Sequence, residues 1–250
     1  MQATPAPALN PVTLLAVDDQ ALPGQRHSHA EAQLLYAVSG VFTVATDRGV
    51  WVVPPNRAVW VPAGVEHITA SSGPIKFRAL FVAAGAERRL PDDCCVVEVS
   101  PLLREMIVRL ASIDGRPEHA AYALRLSLLL LDELTILPVQ PLSLPMPRHP
   151  RLAAFCAAVQ ADPAHAVVLE EAAARLGVSR RSFMRLFLRE TGMTFGRWHQ
   201  QARLLDAQLR LAQGHSILSV ALDCGYQSPS AFAAAFRRAL GKAPSEYFAR

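Results

Sequence analysis

The sequence predicts a multi-domain protein: an N-terminal antiparallel β barrel with flanking helices, and a C-terminal all-α double helix-turn-helix domain. Three observations predict this division. Short β-branched runs between turn residues fill the beginning of the chain, a proline-rich segment follows, and helical patterns occupy the remainder. With 250 residues, the chain is long enough to bury two separate cores.

Seven strands are predicted in the amino-terminal part. Each is a short β-branched or aromatic run, and turns such as Ser39-Gly40 and Asp47-Arg48-Gly49 separate them. Many short strands at close spacing are typical of an antiparallel barrel or sandwich. The predicted strands are Val12–Val17, Gln33–Val38, Val41–Thr46, Val50–Val53, Ala58–Val61, Ile68–Ser71 and Phe77–Val82.

Two apolar helices are predicted after the strands. The first has one apolar face, made of Leu102, Leu103, Met106, Ile107 and Leu110. The second is richer in leucine and contains Leu124, Leu128, Leu131 and Leu134 with Ile136–Leu137. Such a helix either packs against its own barrel or forms the seam of a dimer, and the sequence leaves both readings open.

A proline-rich linker at residues 138–150 separates the two predicted domains, 1–137 and 151–250. It contains five prolines in thirteen residues, which prevents a continuous helix. The charge changes here as well: residues 149–250 carry 13 Arg and Lys against 7 Asp and Glu, and residues 1–148 carry 12 against 14. A basic carboxyl-terminal part favours contact with a polyanion, although arginines on an ordinary solvated surface are the alternative.

Composition also indicates a cellular compartment. The cysteines Cys94, Cys95, Cys156 and Cys224 show no metal-finger spacing, and adjacent cysteines rarely bridge, so reduced thiols are expected. The most apolar stretch, Leu126 to Val139, is interrupted by Asp132, Glu133 and Pro138. The amino terminus lacks the basic region of an export signal. We therefore expect a soluble cytoplasmic protein with no membrane partner.

Two short histidine motifs lie among the predicted strands. The first is His27-Ser-His29, followed by Gln33 and Gly40, and the second is Pro62-Ala-Gly64-Val-Glu-His67. Alternate strand residues share a face, so His27 and His29 can both point into a barrel, with His67 reaching them from another strand. Three converging imidazoles suit a divalent transition metal.

These motifs resemble the two motifs of the cupin barrels, over about residues 20 to 85. Gln33 stands where that family usually has a glutamate ligand. The resemblance implies a metal or effector site made of His27, His29, Gln33 and His67. A metal-free pocket for an organic ligand is the open alternative, and Trp51, Trp60 and Tyr36 are candidate lining or core residues for it.

The carboxyl-terminal part contains one helix-turn-helix pattern twice. In the first copy Ala173 is the small residue at the helix crossing, Gly177 lies in the turn and Ser179 is the N-cap. Ala221, Gly225 and Ser228-Pro229 repeat this pattern, with Ala221 and Gly225 48 residues after their counterparts and a turn one residue longer. Between the copies an amphipathic helix, about Thr194 to Gln213, spans about 30 Å, close to the ~34 Å of one turn of B-DNA.

Residues from about Arg151 to Arg250 resemble the AraC/XylS family of bacterial transcription regulators. The resemblance is carried by the first helix-turn-helix, Arg203 to Leu211, Ile217 to Arg237 and Gly241 to Tyr247. It implies that this domain binds double-stranded DNA and that the barrel senses a ligand or mediates dimerisation. The implied partners are DNA, a small-molecule or metal effector, a second copy of the chain and RNA polymerase.

Candidate DNA contacts lie on the outer sides of the second helix of each motif. Arg181 and Arg185, one helical turn apart, are candidates for bidentate contact with guanine; phosphate contact is the alternative. The second motif is poor in long polar side chains and is expected to bind mainly phosphates. The candidate DNA-binding residues are Arg180, Arg181, Ser182, Met184, Arg185, Gln227, Ser228, Ser230, Arg237 and Arg238.

The sequence thus favours a ligand-responsive transcription regulator that is not an enzyme. One alternative is a metal-dependent cupin enzyme fused to DNA-binding helices; Gln33 in place of an acid counts against it. Another alternative is a barrel that only dimerises the protein and senses nothing.

Overall fold

Eleven strands and nine α-helices form in the part of the chain that the computed structural model describes, residues 10–86, 90–113, 115–136, 139–140, 144–165 and 167–247. These residues divide into two compact units. The first contains the described residues of 10–46 and 53–140, and the second contains 47–52 and those of 144–247. The predicted fold class, an antiparallel β unit followed by a helical unit, is confirmed.

The strands are β1 (Val12–Gln20), β2 (Pro23–His27), β3 (Ala32–Ser39), β4 (Phe42–Thr46), β5 (Gly49–Val53), β6 (Arg57–Val61), β7 (His67–Ala70), β8 (Ile75–Val82), β9 (Cys95–Glu98), β10 (Val139–Gln140) and β11 (Leu144–Pro145).

The first unit is built on an antiparallel sheet with the order β1-β8-β3-β6-β9-β10. Alternate residues of its strands, such as Leu34 and Trp60, pack into a core with the two helices that follow the strands. Residues of opposite parity, such as Leu35 and Val59, are equally buried on the other face. That face packs against the sheet that contains β4, β7 and β2. The contact is shown by Phe42 of β4, whose ring centroid lies 5.2 Å from that of Phe77 of β8.

Apart from β10, which falls in the predicted linker, two strands of the first unit, β2 and β9, escaped sequence prediction. Strand β2 contains Pro23 and Gly24 and has no buried side chain, so it shows no apolar alternation. It forms at the sheet edge because it pairs with β7, where His27 is the register partner of His67. Strand β9 has only four residues and pairs with β6. Neither pairing has a signature that is local in the sequence.

The two predicted helices are present as α1 (Pro101–Ile113) and α2 (Ala120–Ile136), with a short 3-10 helix, Pro117–His119, between them. Leu103, Met106, Ile107 and Leu110 are buried as predicted, together with Leu131 and Leu134. Leu102, which was placed on the apolar face of the first helix, is 54% exposed, and Leu128 on α2 is 50% exposed. The leucine-rich run continues around α2, so periodicity alone did not identify its buried side.

The second unit contains α3 (Pro150–Ala161), α4 (Leu169–Leu176), α5 (Arg180–Thr191), α6 (Phe195–Ala212), α7 (Ile217–Asp223), α8 (Pro229–Leu240) and α9 (Pro244–Tyr247).

Part of the predicted linker lies outside the described residues, namely 138 and 141–143. In the described part, Val139 and Gln140 pair with β9, and Leu144 pairs with Val50 of β5. The indole Nε1 of Trp198 donates to the carbonyl of Pro145 over 2.7 Å. The segment that precedes α3 is therefore bonded to the helices of the second unit.

Within the described residues, no helix is long and apolar enough to cross a membrane. All four cysteines are free thiols, as predicted. Burial raises the pKa of Cys156 and of Cys224 to about 12, so both remain protonated in the core.

Candidate DNA interface and histidine site

The first helix-turn-helix consists of α4, a tight turn and α5. Ala173, 2% exposed, lies at the close contact of the helices, and Gly177 ends α4 with a φ of +73°. The amide of Val178 donates to Ala173 over 3.0 Å, which closes the helix end. Ser179 then caps α5, because its Oγ accepts from the amide of Ser182 over 3.2 Å.

The second helix-turn-helix, α7 and α8, repeats this backbone pattern. Gly225 has a φ of +73°, and the amide of Tyr226 donates to Ala221 over 2.8 Å. Ser228 caps α8 by accepting from the amide of Ala231 over 3.2 Å. The two motifs therefore share the same helix closure and the same kind of cap, as the repeated sequence pattern predicts.

Helix α5 buries one side and exposes the candidate DNA contacts. Phe183 and Phe187 are fully buried. Arg181 and Arg185 are exposed, and Ser182 and Met184 are half-buried beside them. Within the described residues neither of the two arginines makes an ion pair, so both guanidiniums are available to a ligand.

Arg180 differs from the other two arginines of α5. Its Nη1 lies 2.9 Å from Oε1 of Glu170 on α4, and both side chains are more than 60% exposed. An exposed pair of this kind is weak and readily exchanged. Arg180 therefore links the two helices of the motif in the absence of DNA.

Helix α8 presents a smaller polar surface. Gln227, Ser230, Arg237 and Arg238 are exposed, and Phe232 and Phe236 are buried. The hydroxyl of Ser228 is engaged in the cap and lies 3.0 Å from the hydroxyl of Ser230. Ser228 therefore contributes to this surface by fixing the residue at which α8 begins.

Helix α6 connects the two motifs and matches the predicted helix. It starts after the cap Thr194 and ends at the cap Gln213. Its 18 residues span about 27 Å. At its amino-terminal end Phe195 and Trp198 pack on Phe187 of α5, with ring centroids 5.4 and 5.7 Å away. The first motif is thus attached to the connector by aromatic packing.

The other end of α6 holds the second motif by polar contacts. Arg203 Nε donates to the carbonyl of Cys224 over 2.5 Å, and its guanidinium lies over the ring of Tyr226. Asp206 Oδ2 accepts from Arg210 over 2.7 Å and lies 3.4 Å from the Cys224 sulfur. The sequence analysis gave Arg203 and Asp206 no contact role and took Arg210 for a surface or phosphate-binding group. Their positions at i, i+3 and i+7 are the signal for a shared helix face.

The structure brings His27, His29 and His67 together in the first unit. One nitrogen from each ring lies within 4.8 Å of the others. The ring centroids of His27 are 4.9 Å from His29 and 4.4 Å from His67. Strand β2 ends at His27, so His29 reaches the cluster from beyond the strand rather than as an alternate strand residue. The convergence depends on the β2–β7 pairing.

Two of these rings are oriented by the backbone. Nδ1 of His27 lies 2.8 Å from the carbonyl of Gln25, and Nδ1 of His67 lies 3.0 Å from that of Val65. A neutral imidazole that donates from Nδ1 keeps its lone pair on Nε2. This carbonyl contact is the usual outer interaction of a metal-binding histidine.

The surroundings of the cluster favour the neutral form of two of its rings. Burial is the main cause that lowers the pKa of His67, and the other two histidines lower it further. Burial also lowers the pKa of His29, with a contribution from His27. Neutral imidazole is the form that binds metals.

Gln33 lies on the same side of the β-sandwich as the three histidines. It is 3% exposed, and in the described structure its Oε1 has no hydrogen-bond partner. Its register partner is Phe81, whose ring lies 5.1 Å from that of His29. By contrast, Tyr36 and Trp60 face the helices and are plain core. Three converging imidazoles form a donor set that fits a divalent transition metal.

Two helix-turn-helix motifs on one connector, each exposing its second helix, define a DNA-binding protein with a separate β-sandwich unit. Family models agree with this division. Residues 17–134 match the AraC-like ligand binding domain, and residues 172–250 match a helix-turn-helix domain. The chain belongs to the AraC family of transcription regulators.

Individual relatives support this assignment. The chain is 35% identical over 224 residues to the HTH-type transcriptional regulator NimR of Escherichia coli, covering 90% of this chain and 82% of NimR. It is 38% identical over 110 residues to the regulator RipA of Corynebacterium glutamicum, covering 44% of this chain and 32% of RipA. These relatives are transcription regulators rather than enzymes, which decides against the cupin-enzyme alternative.

Solved structures also align with this chain, with TM-scores of 0.40 and below. ToxT of Vibrio cholerae aligns with 95% of this chain and 96% of its own, with 11% identity and a TM-score of 0.40. The DNA-binding domain of AdpA, solved with a target DNA, aligns with 38% of this chain and 86% of its own, with 36% identity and a TM-score of 0.35.

Proposed function

We propose that α5 and α8 enter successive major grooves on one side of the duplex. The exposed Arg181 and Arg185 support this role for α5, and Arg237 and Arg238 support phosphate binding by α8. The length of α6, about 27 Å, separates the motifs by nearly one turn of B-DNA. Such a regulator acts on chromosomal DNA in the cytoplasm.

Footprinting tests this arrangement. The full chain selects a duplex from a random library, and hydroxyl-radical cleavage then maps the protected sugars. We expect two protected regions on one face, about 10–10.5 base pairs apart. Arg181→Ala with Arg185→Ala should remove one region, and Arg237→Ala with Arg238→Ala the other. Arg151→Ala on α3 is the matched control, and a single protected region in the parent protein contradicts the proposal.

We further propose that the first unit senses a divalent transition metal at His27, His29 and His67, with Gln33 as an additional donor. The convergence of the three nitrogens within 4.8 Å carries this proposal. Metal content is measured on protein purified without a histidine tag and reloaded with zinc, nickel, manganese or iron. We expect about one equivalent in the parent and none in a His27→Ala/His67→Ala variant. His165→Ala, an exposed histidine of the second unit, is the control.

The absence of metal from the parent under all four conditions would reject the metal site. A metal that binds without changing affinity for the selected duplex would leave a structural site and reject metal sensing. Two functions of the first unit would then remain: binding of an organic effector, or dimerisation without any ligand.

We propose that α2 mediates homodimerisation. One side of α2 is buried in the core of the first unit, yet Tyr122, Leu128 and Leu129 are 42%, 50% and 52% exposed. A second copy of the chain would cover these side chains. Leu128→Glu with Leu129→Glu should shift sedimentation from dimer to monomer, and Leu222→Glu on α7 is the control. RNA polymerase stays a predicted partner that rests on the family resemblance.

A further inference from the structure

A cavity of about 360 Å³ lies between α3 and α4 of the second unit. Small-molecule sites in proteins usually have volumes of about 300–1,000 Å³, so this cavity falls within their range. It equals the space of roughly twelve water molecules, which admits a ligand of about ten non-hydrogen atoms. The described residues that line it belong to α3, α4 and the loop between them. The cavity is therefore separate from the candidate DNA contacts on α5 and α8.

The buried part of the lining is apolar. Val159 of α3 and Ala172 of α4 are 6% and 3% exposed, and Phe155 is half-buried beside them. Val168, just before α4, lines the same cavity and is 50% exposed. A ligand with an apolar body would remove this surface from water, and that burial would supply most of the binding free energy.

The charges of the lining favour a positively charged ligand. Asp162 directly follows the last residue of α3, and Glu171 lies in the first turn of α4. Both side chains are exposed, and neither forms an ion pair with another described residue. The partial negative charge at the carboxyl end of α3 adds to that of Asp162. Arg175 is the one permanent cation among the described lining residues, so with His165 neutral the lining is negative overall.

Phe155 connects the cavity to the core of the first helix-turn-helix. Its ring centroid lies 5.5 Å from that of Phe183 on α5 and 5.7 Å from that of Phe195 on α6. A ligand that packs on Phe155 would therefore contact the aromatic cluster that attaches α5 to the connector. The face of an aromatic ring also attracts cations, which agrees with the charge of the lining.

We propose that this cavity binds an apolar organic cation, such as an aromatic amine. Its apolar body packs on Phe155 and Val159, and its ammonium group pairs with Asp162 and Glu171. Such a ligand links α3 to α4 and so stabilises the first helix-turn-helix. This second ligand site lies outside the first unit and does not depend on the metal site proposed there.

Titration calorimetry of the full chain with 2-phenylethylamine tests the proposal. Two probes of nearly the same size serve as comparisons, the neutral 2-phenylethanol and the anionic 3-phenylpropionate. We expect the amine to bind more tightly than the alcohol, and the alcohol more tightly than the carboxylate. The affinity for the amine should fall as salt is added, because exposed charges are screened. Absence of amine binding, or equal affinity for all three probes, would overturn the proposal.

Charge variants identify the binding position. Glu171→Gln should weaken amine binding about threefold to fivefold, the range expected for an exposed ion pair. Arg175→Met should strengthen it by a similar factor, since it removes the like charge and keeps an apolar chain. Glu170→Gln is the matched control, because it makes the same change one position away and does not line the cavity. Weaker amine binding by Arg175→Met, or equal losses in Glu170→Gln and Glu171→Gln, would contradict the assignment.

A filled cavity provides a second test. Ala158 is exposed and lines the cavity, so Ala158→Phe places a ring in this space without removing a core side chain. Ala157→Phe is the matched control, since Ala157 is exposed on the same helix and does not line the cavity. We expect Ala158→Phe to lose amine binding and Ala157→Phe to keep it, at similar Tm. Equal amine binding by the two variants would place the ligand elsewhere and overturn the proposal.

Binding to the selected duplex separates this inference from the proposed function. The proposed function requires that the parent protein bind DNA, whereas the amine site does not. If the parent binds the duplex and no amine, this inference alone fails. If the parent binds the amine and no duplex, the proposed function alone fails.

Discussion

The guanidinium of Arg203 lies over the ring of Tyr226, with its central carbon 4.3 Å from the ring centroid. The same side chain donates to the carbonyl of Cys224 at the end of α7. Gly225 makes room for it, because a Cβ there would lie 3.1 Å from Nη2 of Arg203. One arginine of the connector thus holds the turn of the second helix-turn-helix.

Replacing Arg203 should loosen the second motif without affecting the first. We expect Arg203→Ala to cost about 1–3 kcal/mol, since it removes a cation–π contact and a charged hydrogen bond. The readout is affinity for duplexes whose two half-sites are moved apart by one or two base pairs. The parent should prefer one spacing, and the variant should discriminate less. Gln200→Ala, exposed on the same helix, is the control, and an unchanged spacing preference would refute this role.

Gly225 should tolerate alanine less well than another glycine with similar backbone geometry. Gly192 has a φ of +69° and open space where a Cβ would lie, whereas Gly225 has a φ of +73° and is crowded by Arg203 and the Ala164 carbonyl. Both substitutions carry a left-handed strain of about 1 kcal/mol. Gly225→Ala should cost about 1 kcal/mol more, as measured by urea unfolding. Equal costs would indicate that Arg203 moves aside freely.

Arg185 should contribute to sequence selectivity. We expect Arg185→Ala to weaken binding to the selected duplex by about 1–3 kcal/mol and to relax the preference at one base pair. Arg180→Ala should have a smaller effect, because Glu170 already engages Arg180 over 2.9 Å. The measurement is titration against duplexes with single base-pair changes. A loss of equal size on every duplex would assign Arg185 to phosphate.

Gln33→Glu should strengthen metal binding and weaken the metal-free protein. A carboxylate is a stronger donor than an amide toward a divalent cation, but it is costly to bury without that cation. We expect a lower Tm after chelation and a tighter zinc dissociation constant than in the parent. Gln33→Leu is the comparison, since it removes the unpaired oxygen and should bind zinc less tightly. Identical zinc affinity in all three proteins would exclude Gln33 from the site.

Much of the fold was predictable where the determining interactions are local. The helix starts at Ser179 and Ser228 and the helix ends at Gly177 and Gly225 each depend on contacts within about four residues. Short β-branched and aromatic runs likewise identified β3, β6 and β8. Strand β2 was missed because its pairing with β7, some forty residues away, has no local pattern. The exposed side of α2 was missed because leucines occur all around that helix.

The sequence by itself determined the two-unit division, the repeated helix-turn-helix and the connector, since caps, turn glycines and periodicity act over a few residues. Only the tertiary structure decided which distant side chains meet. His67 joins His27 and His29 through strand register, and Arg203 reaches Tyr226 through the packing of α6 on α7. Such contacts join residues that are tens of positions apart in the chain. The conformational preferences of short segments do not encode them.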